Sequence, residues 1–97
     1  MAQLQAFNEH VLGREGKVLV KFGAQWCGPC KQVAPVLEGL KDEGYDNIYD
    51  CDVDKDQDAA VKYFVRGVPT FIVFENGKEV KRDSGMKSAK EIKELLD

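Results

Sequence analysis

Apolar positions along this chain fall in two rhythms that alternate. Residues 17–22 (KVLVKF) form a dense apolar run, which predicts a strand buried on both faces. From Cys27 the spacing lengthens. Val33, Val36, Leu37 and Leu40 recur at helical intervals, and Gly44 marks the stop. Pro35 falls inside that helix, where it removes a hydrogen bond and should bend the axis. Residues 47–53 (NIYDCDV) read as a second strand, and 57–64 (QDAAVKYF) as a helix capped by Asp56. Residues 70–74 (TFIVF) carry the strongest strand signal in the chain. Asn76-Gly77 follows, a tight-hairpin dipeptide, so 78–84 (KEVKRDS) should return antiparallel. The last helix opens with Ser88-Ala89-Lys90-Glu91, a capping box, and its apolar stripe is Ile92, Leu95 and Leu96.

Upstream, residues 6–12 (AFNEHVL) fit a short helix ending at Gly13, and 2–5 (AQLQ) a short first strand. The expected order is therefore β-α-β-α-β-α-β-β-α. Strands separated by helices imply parallel pairing with helices on both faces, and the final hairpin adds an antiparallel edge. The fold class is α/β: one mixed sheet of four to five strands between helices. No repeat, low-complexity segment or linker divides the chain, and 97 residues fit a single domain spanning 1–97.

Composition narrows the function classes. A hydrophobic share of 43% and a charged share of 32% fit a soluble globular chain rather than a disordered one. The net charge is −3 with both signs scattered, which argues against a nucleic-acid-binding face. No apolar run is long enough to span a membrane. Residues 1–13 lack both the basic leader and the unbroken apolar core of a signal peptide. Three cysteines are an odd number, a poor start for a secreted disulfide framework. The expected location is the reducing cytoplasm, where a CxxC pair is more often catalytic or metal-binding than structural.

Cys27-Gly28-Pro29-Cys30 stands at the predicted start of a helix. Residues i and i+3 there bring two sulfurs together, with Cys27 at the exposed end. Unpaired backbone N–H groups and the helix dipole favour negative charge at that end, so the Cys27 thiol should ionise and become the nucleophile of disulfide exchange. Cys30, one turn deeper, would attack the resulting mixed disulfide. Gly28 and Pro29 shorten and stiffen the turn, and a proline near a helix start loses little. The competing reading is zinc, with Cys27, Cys30, Cys51 and His10 as four conceivable ligands. Its spacing is poor, because Cys51 and His10 form no second close couple. His10 reads more simply as a surface residue and Cys51 as a space-filling strand residue. A permanent structural Cys27–Cys30 bridge closes too small a loop to stabilise much.

WCGPCK (26–31), AP (34–35), VRGVPTF (65–71), ENGKEV (75–80) and Gly85 fall in an order and spacing that resemble the thioredoxin family over nearly the whole chain. The resemblance implies a small cytoplasmic oxidoreductase that reduces protein disulfides through a redox-active Cys27–Cys30 disulfide. It implies no bound cofactor, no nucleic acid, no membrane, a monomer, and recharging by an NADPH- or ferredoxin-linked thioredoxin reductase. Cys27 is then the attacking thiolate, Cys30 the resolving thiol and Trp26 the flanking aromatic. Pro69 matches the family's cis-proline, which presents the backbone of Val68 to substrate. Trp26, Gly28, Pro29, Val68, Pro69 and Gly85 form the docking surface. Glutaredoxins, the neighbouring family, usually enclose Pro-Tyr between their cysteines and precede their cis-proline by Thr; this chain has Gly-Pro and Gly67-Val68. A different class of function is a thioredoxin-like accessory subunit that docks a larger enzyme, its cysteines dispensable.

Two positions depart from the family's pattern. The family typically carries a buried Asp six residues before the first cysteine and a Trp four before it; here these are Lys21 and Gly23. A Lys lies near that Asp on the neighbouring strand, and aligning CDVD (51–54) places Asp50 at its position. The ion pair is thus expected to be reversed, Lys21 with Asp50. Breaking a buried pair costs about 3–5 kcal/mol, so reversing both members preserves neutrality where reversing one would not. The pair would sit beneath Cys30 and handle its proton, either with Lys21 as a cation favouring thiolates or with a neutral Lys21 as base. Alternatively the Lys21 stem bends along the strand and its ammonium reaches water. Gly23 leaves a large volume either filled by another side chain or open beside a looser loop.

Overall fold

A computed structural model describes residues 11–97. The predicted strand at 2–5, most of the helix at 6–12, and His10 lie outside the described residues. Four strands and three helices follow in chain order: β1 Lys17–Gly23, α1 Gly28–Asp42, β2 Ile48–Asp52, α2 Gln57–Lys62, β3 Thr70–Glu75, β4 Lys78–Ser84 and α3 Ala89–Leu96. The strands form one mixed sheet in the order β2-β1-β3-β4.

Strand alternation sorts the core onto two faces. Val18, Val20 and Phe22 of β1 join Cys51, Ile72, Phe74 and Ala59 of α2 on one side. Leu19, Phe71, Val73 and Ile48 meet Val33, Leu37 and Leu40 of α1 and Ile92 of α3 on the other. Both faces of β1 and β3 are therefore covered, as the dense apolar runs require. Helix α1 runs unbroken through Pro35, which is exposed. Ser88 and Glu91 close the expected capping box on α3. Edge strand β4 is exposed along its length and mostly charged, a composition that discourages pairing with other sheets.

The parallel expectation holds for β1 and β2 only; β3 runs antiparallel to β1. Helix α2 has six residues and spans roughly 9 Å. A five-residue strand such as β2 spans roughly 17 Å, so α2 is too short to carry the chain back along the sheet. The chain re-enters from the end at which β2 finished. As a result β3 begins beside the end of β1, with Thr70 opposite Phe22. The β3–β4 hairpin is antiparallel as expected, and Asn76 and Gly77 both hold positive φ, 52° and 85°.

Helix α2 also stops two residues before the predicted end. Tyr63 caps it and packs edge-on against Phe74, with ring centroids 4.9 Å apart. Phe64 then adopts φ 56° with its side chain in solvent. The left-handed conformation suits glycine and burdens a bulky residue by about 1–2 kcal/mol. Because the Phe64 ring buries little, Phe64→Gly should raise stability by about 1 kcal/mol despite the looser unfolded chain. Urea unfolding of the two proteins reads this directly, and equal or lower stability in the variant would contradict it.

Candidate active site

Three chain segments converge where β1 ends: the turn Ala24–Cys27, the first turn of α1, and the entry to β3. Cys27 N donates to the Ala24 carbonyl at 3.2 Å, which closes the turn. Cys27 is the N-cap of α1, and its Sγ accepts the Cys30 backbone N–H at 3.1 Å. Pro29 occupies the first turn, where a missing N–H leaves no hydrogen bond unmade. Cys27 and Cys30 are joined in a disulfide, with Cα atoms 5.2 Å apart.

Cys27 was expected at an exposed end, but both sulfurs are covered. The two residues are only 4% and 3% accessible. Ala24, Val53 and Val68 pack around them. Trp26 beside them is exposed instead, at 68%, and its Nε1 donates to Asp54 Oδ2 at 2.8 Å. The Val68–Pro69 bond is cis. The Pro69 carbonyl accepts the Gly85 N–H at 3.0 Å, so Gly85 sits against the same turn. Trp26, Val53 and Val65–Val68 line a cavity of about 120 Å³ next to the disulfide. Gly28 and Pro29 are exposed at its helix side. All six expected docking positions therefore gather at one end of the sheet.

Lys21 and Asp50 are direct partners in the β1–β2 register, and Lys21 Nζ lies 3.5 Å from Asp50 Oδ1. The Lys21 stem runs along the strand over Gly23, and the ammonium ends on the Asp50 carboxylate rather than in open water, so the paired arrangement is the one the structure holds. The pair is less buried than expected. The Lys21 side chain is 12% exposed, but that of Asp50 is 47%, and Lys41 of α1 shares the carboxylate at 3.3 Å. A half-exposed pair contributes about 0–1 kcal/mol to stability, well below the buried range, so its meaning lies in where it holds the ammonium. Lys21, Gly23, Ala24, Cys30, Asp50 and Asp52 are among the residues lining a cavity of about 240 Å³.

Two site residues escaped the sequence reading. Asp54, the partner of Trp26, was reachable, because parallel pairing of β1 with β2 brings the residues after each strand together. Lys41 depends on how α1 crosses β2, for which the sequence carries no local signal. His10 lies outside the described residues, and among these no three His, Cys, Asp or Glu are grouped as metal ligands would be.

A dithiol couple capping a helix, packed against the start of a strand that follows a cis-proline, defines a thiol–disulfide oxidoreductase of the thioredoxin fold. The thioredoxin family model matches residues 1–97. Thioredoxin from Bacillus subtilis strain 168 is 45% identical over 85 residues, covering 86% of this chain and 82% of that protein. Thioredoxin from Pseudomonas aeruginosa is 37% identical over 94 residues, covering 95% and 87%. Among solved structures, a point mutant of thioredoxin from Halobacterium salinarum NRC-1 superposes with TM-score 0.83 at 34% identity, over 99% of this chain and 81% of that one. Fasciola hepatica thioredoxin gives 0.77 at 39% identity, over 96% and 88%. The chain belongs to the thioredoxin family.

Cys51, the third cysteine, is buried and free, in the core of the opposite face. Burial, then the nearby Asp56 and Asp52 carboxylates and a hydrogen bond with Asp56, push its thiol from 9.0 up to about 12. Native Cys51 thus stays protonated at pH values where the unfolded chain has ionised it. Its contribution to stability is whole below pH 9.0 and declines as pH rises toward about 12. In the oxidised protein, whose other two sulfurs do not titrate, Cys51→Ala should flatten the alkaline fall in unfolding free energy. Iodoacetamide should likewise leave native Cys51 unlabelled at mildly alkaline pH and label it on unfolding. An unchanged alkaline slope, or rapid native labelling, would refute this assignment.

Proposed function

We propose that the two sulfurs divide the work of disulfide reduction, with Cys27 as nucleophile and Cys30 as resolver. In the reduced protein the Cys27 thiolate attacks one sulfur of a protein disulfide, forming a mixed disulfide and releasing one substrate thiolate. The Cys30 thiolate then attacks Cys27 Sγ, restoring the Cys27–Cys30 disulfide and releasing the second substrate thiolate. Two electrons pass to the substrate, and its two thiolates take up protons. The observation that carries this assignment is the N-cap: Cys27 Sγ already accepts the Cys30 N–H. That donor and the positive end of the α1 dipole favour a thiolate there.

Docking falls to the apolar surface of Trp26, Gly28, Pro29, Val68, Pro69 and Gly85. These positions surround sulfurs that are themselves covered, so a substrate disulfide reaches Cys27 by packing against them. The protein works as a single-domain, monomeric, cytoplasmic electron carrier without a bound cofactor, recharged by an NADPH- or ferredoxin-linked thioredoxin reductase. Family membership and the Cys27–Cys30 disulfide support this reading. No helix among the described residues is long and apolar enough to cross a membrane.

Lys21 supplies the electrostatic part of the resolving step. Its ammonium, tethered by Asp50, faces the cavity onto which Cys30 opens, and there it favours the Cys30 thiolate over the thiol. The same cation stabilises the reduced state and makes the protein more oxidising than a relative lacking it.

Insulin reduction coupled to a reductase tests the division of labour. Cys27→Ser should fall to the uncatalysed background, whereas Cys30→Ser should still attack and accumulate a mixed disulfide. Lys21→Ala should slow the resolving step about tenfold at neutral pH and recover at higher pH, as expected for about one unit of lost thiolate stabilisation. Asp50→Ala should move the same profile by releasing the ammonium. Full activity in Cys27→Ser would overturn the nucleophile assignment. Unchanged pH profiles in both charge variants would overturn the role of the pair.

A further inference from the structure

Gly23 occupies the last position of β1, buried, with Asp52 as its partner across the ladder. Its φ lies outside the left-handed range, so the backbone accepts any residue there. A glycine inside a strand weakens it and marks a close approach by another group. The approaching groups are identified by the space its side chain would fill. A Cβ on Gly23 would stand 2.9 Å from Lys21 Cε, 3.3 Å from Cys30 Sγ and 3.5 Å from Lys21 Nζ. Gly23 and Lys21 are two residues apart on one strand, so they share a face. The Lys21 stem lies across the glycine, and the ammonium and the Cys30 sulfur flank the same small space.

We infer that Gly23 is a positioning residue: its missing side chain is what lets the end of Lys21 occupy the space that the Cys30 sulfur also flanks. The two departures at 21 and 23 are then one device, because a lysine at 21 with any larger residue at 23 would be displaced from the space beside the sulfur. Gly23 touches no reacting atom of the substrate and acts through Lys21. The cavity of about 240 Å³ left beside the stem has room for water, which gives the Cys30 proton a way out. The charged and titratable groups around that cavity are Lys21 from β1, Asp50, Cys51 and Asp52 from β2, and Lys31 from α1. Two cations face two carboxylates, so the balance at Cys30 turns on which of them stands nearest, and Gly23 decides that for Lys21.

The inference rests on Lys21 favouring the Cys30 thiolate, and a double-mutant cycle separates the two claims. The Cys30 titration is followed in the reduced protein by the NMR shift of its labelled Cβ, alongside the single-turnover rate of mixed-disulfide resolution. The atom that Gly23→Ala displaces is near the end of a flexible side chain, so the variant should fold, and Lys21→Ala/Gly23→Ala folds without the conflict. Gly23→Ala should raise the Cys30 pKa by about one unit, like Lys21→Ala, and slow resolution about tenfold at neutral pH. In the Lys21→Ala background, Gly23→Ala should add nothing. If Lys21→Ala shifts Cys30 and Gly23→Ala does not, positioning by Gly23 is overturned while the role of Lys21 stands. Equal shifts from Gly23→Ala in both backgrounds would assign the effect to direct crowding of Cys30 and also overturn it. If neither single variant shifts Cys30, the role of Lys21 falls and takes the inference with it.

Discussion

Antiparallel pairing of β1 with β3 sets Phe22 opposite Thr70, and the whole redox end of the molecule follows from that register. The end of β1 leads through a tight turn into α1, whose N-cap is Cys27. The start of β3 is the segment that follows Pro69. Had β3 run parallel to β1, its entry would lie at the far end of the sheet, a strand length from the sulfurs. The short α2 is what forbids this. A six-residue helix on one face leaves the chain at the end where β2 finished, and the loop through Val65–Val68 crosses beside Cys27 and Cys30. Apolar burial on both faces of β1 and β3 then locks the register, because a slip by one residue would turn each buried side chain to the wrong face.

On that frame the electrostatics of the pair are arranged from two directions. From the helix side, Cys27 gains a backbone N–H and the dipole of α1. From the sheet side, Cys30 Sγ and the end of the Lys21 side chain flank the space beside Gly23, with the Lys21 ammonium paired to Asp50, which Lys41 also pairs. The sheet-side contribution is the unusual one. Reversing the ion pair keeps the charge sum but exchanges the sign that lies nearer the sulfurs. A carboxylate at position 21 would raise the energy of a thiolate at Cys30; an ammonium lowers it. The half-exposed Asp50 means the pair contributes little to stability, and the consequence proposed for it is a redox one.

Much of this was legible in the sequence wherever the signal was local. The dense runs gave β1 and β3, Asn76-Gly77 gave the hairpin, Ser88 and Glu91 gave the cap of α3, and CGPC gave the couple. Lys21 opposite Asp50 was also within reach, since it needs only the parallel register of two adjacent strands. What was not legible depends on relations between elements. The direction of β3 required knowing that α2 ends at Lys62, and Tyr63 leaves the helix to pack on Phe74, a residue of β3 itself. The burial of Cys27 required Val68 to arrive from the same loop. The meaning of Gly23 required knowing where the lysine stem lies. From the sequence, the volume at Gly23 was either filled by another side chain or open beside a looser loop; in space the Lys21 stem takes part of it and a cavity lies beside the stem.

Cys27 and Cys30 share a disulfide while Cys51 is a buried free thiol, and the contrast bears on what makes a sulfur reactive. Cys27 and Cys51 are almost equally inaccessible, at 4% and 3%, so burial alone does not separate them. The difference is in the dipoles and charges each sulfur meets. Cys27 caps a helix N-terminus and accepts an N–H; Cys51 is buried, hydrogen-bonds Asp56 and feels the charges of Asp56, Asp52 and Asp50, all of which oppose ionisation of its thiol. Cys30 lines one cavity with Lys21, Asp50 and Asp52. In the proposed mechanism, the glycine at position 23 and the lysine at position 21 together set the charge that the resolving sulfur meets.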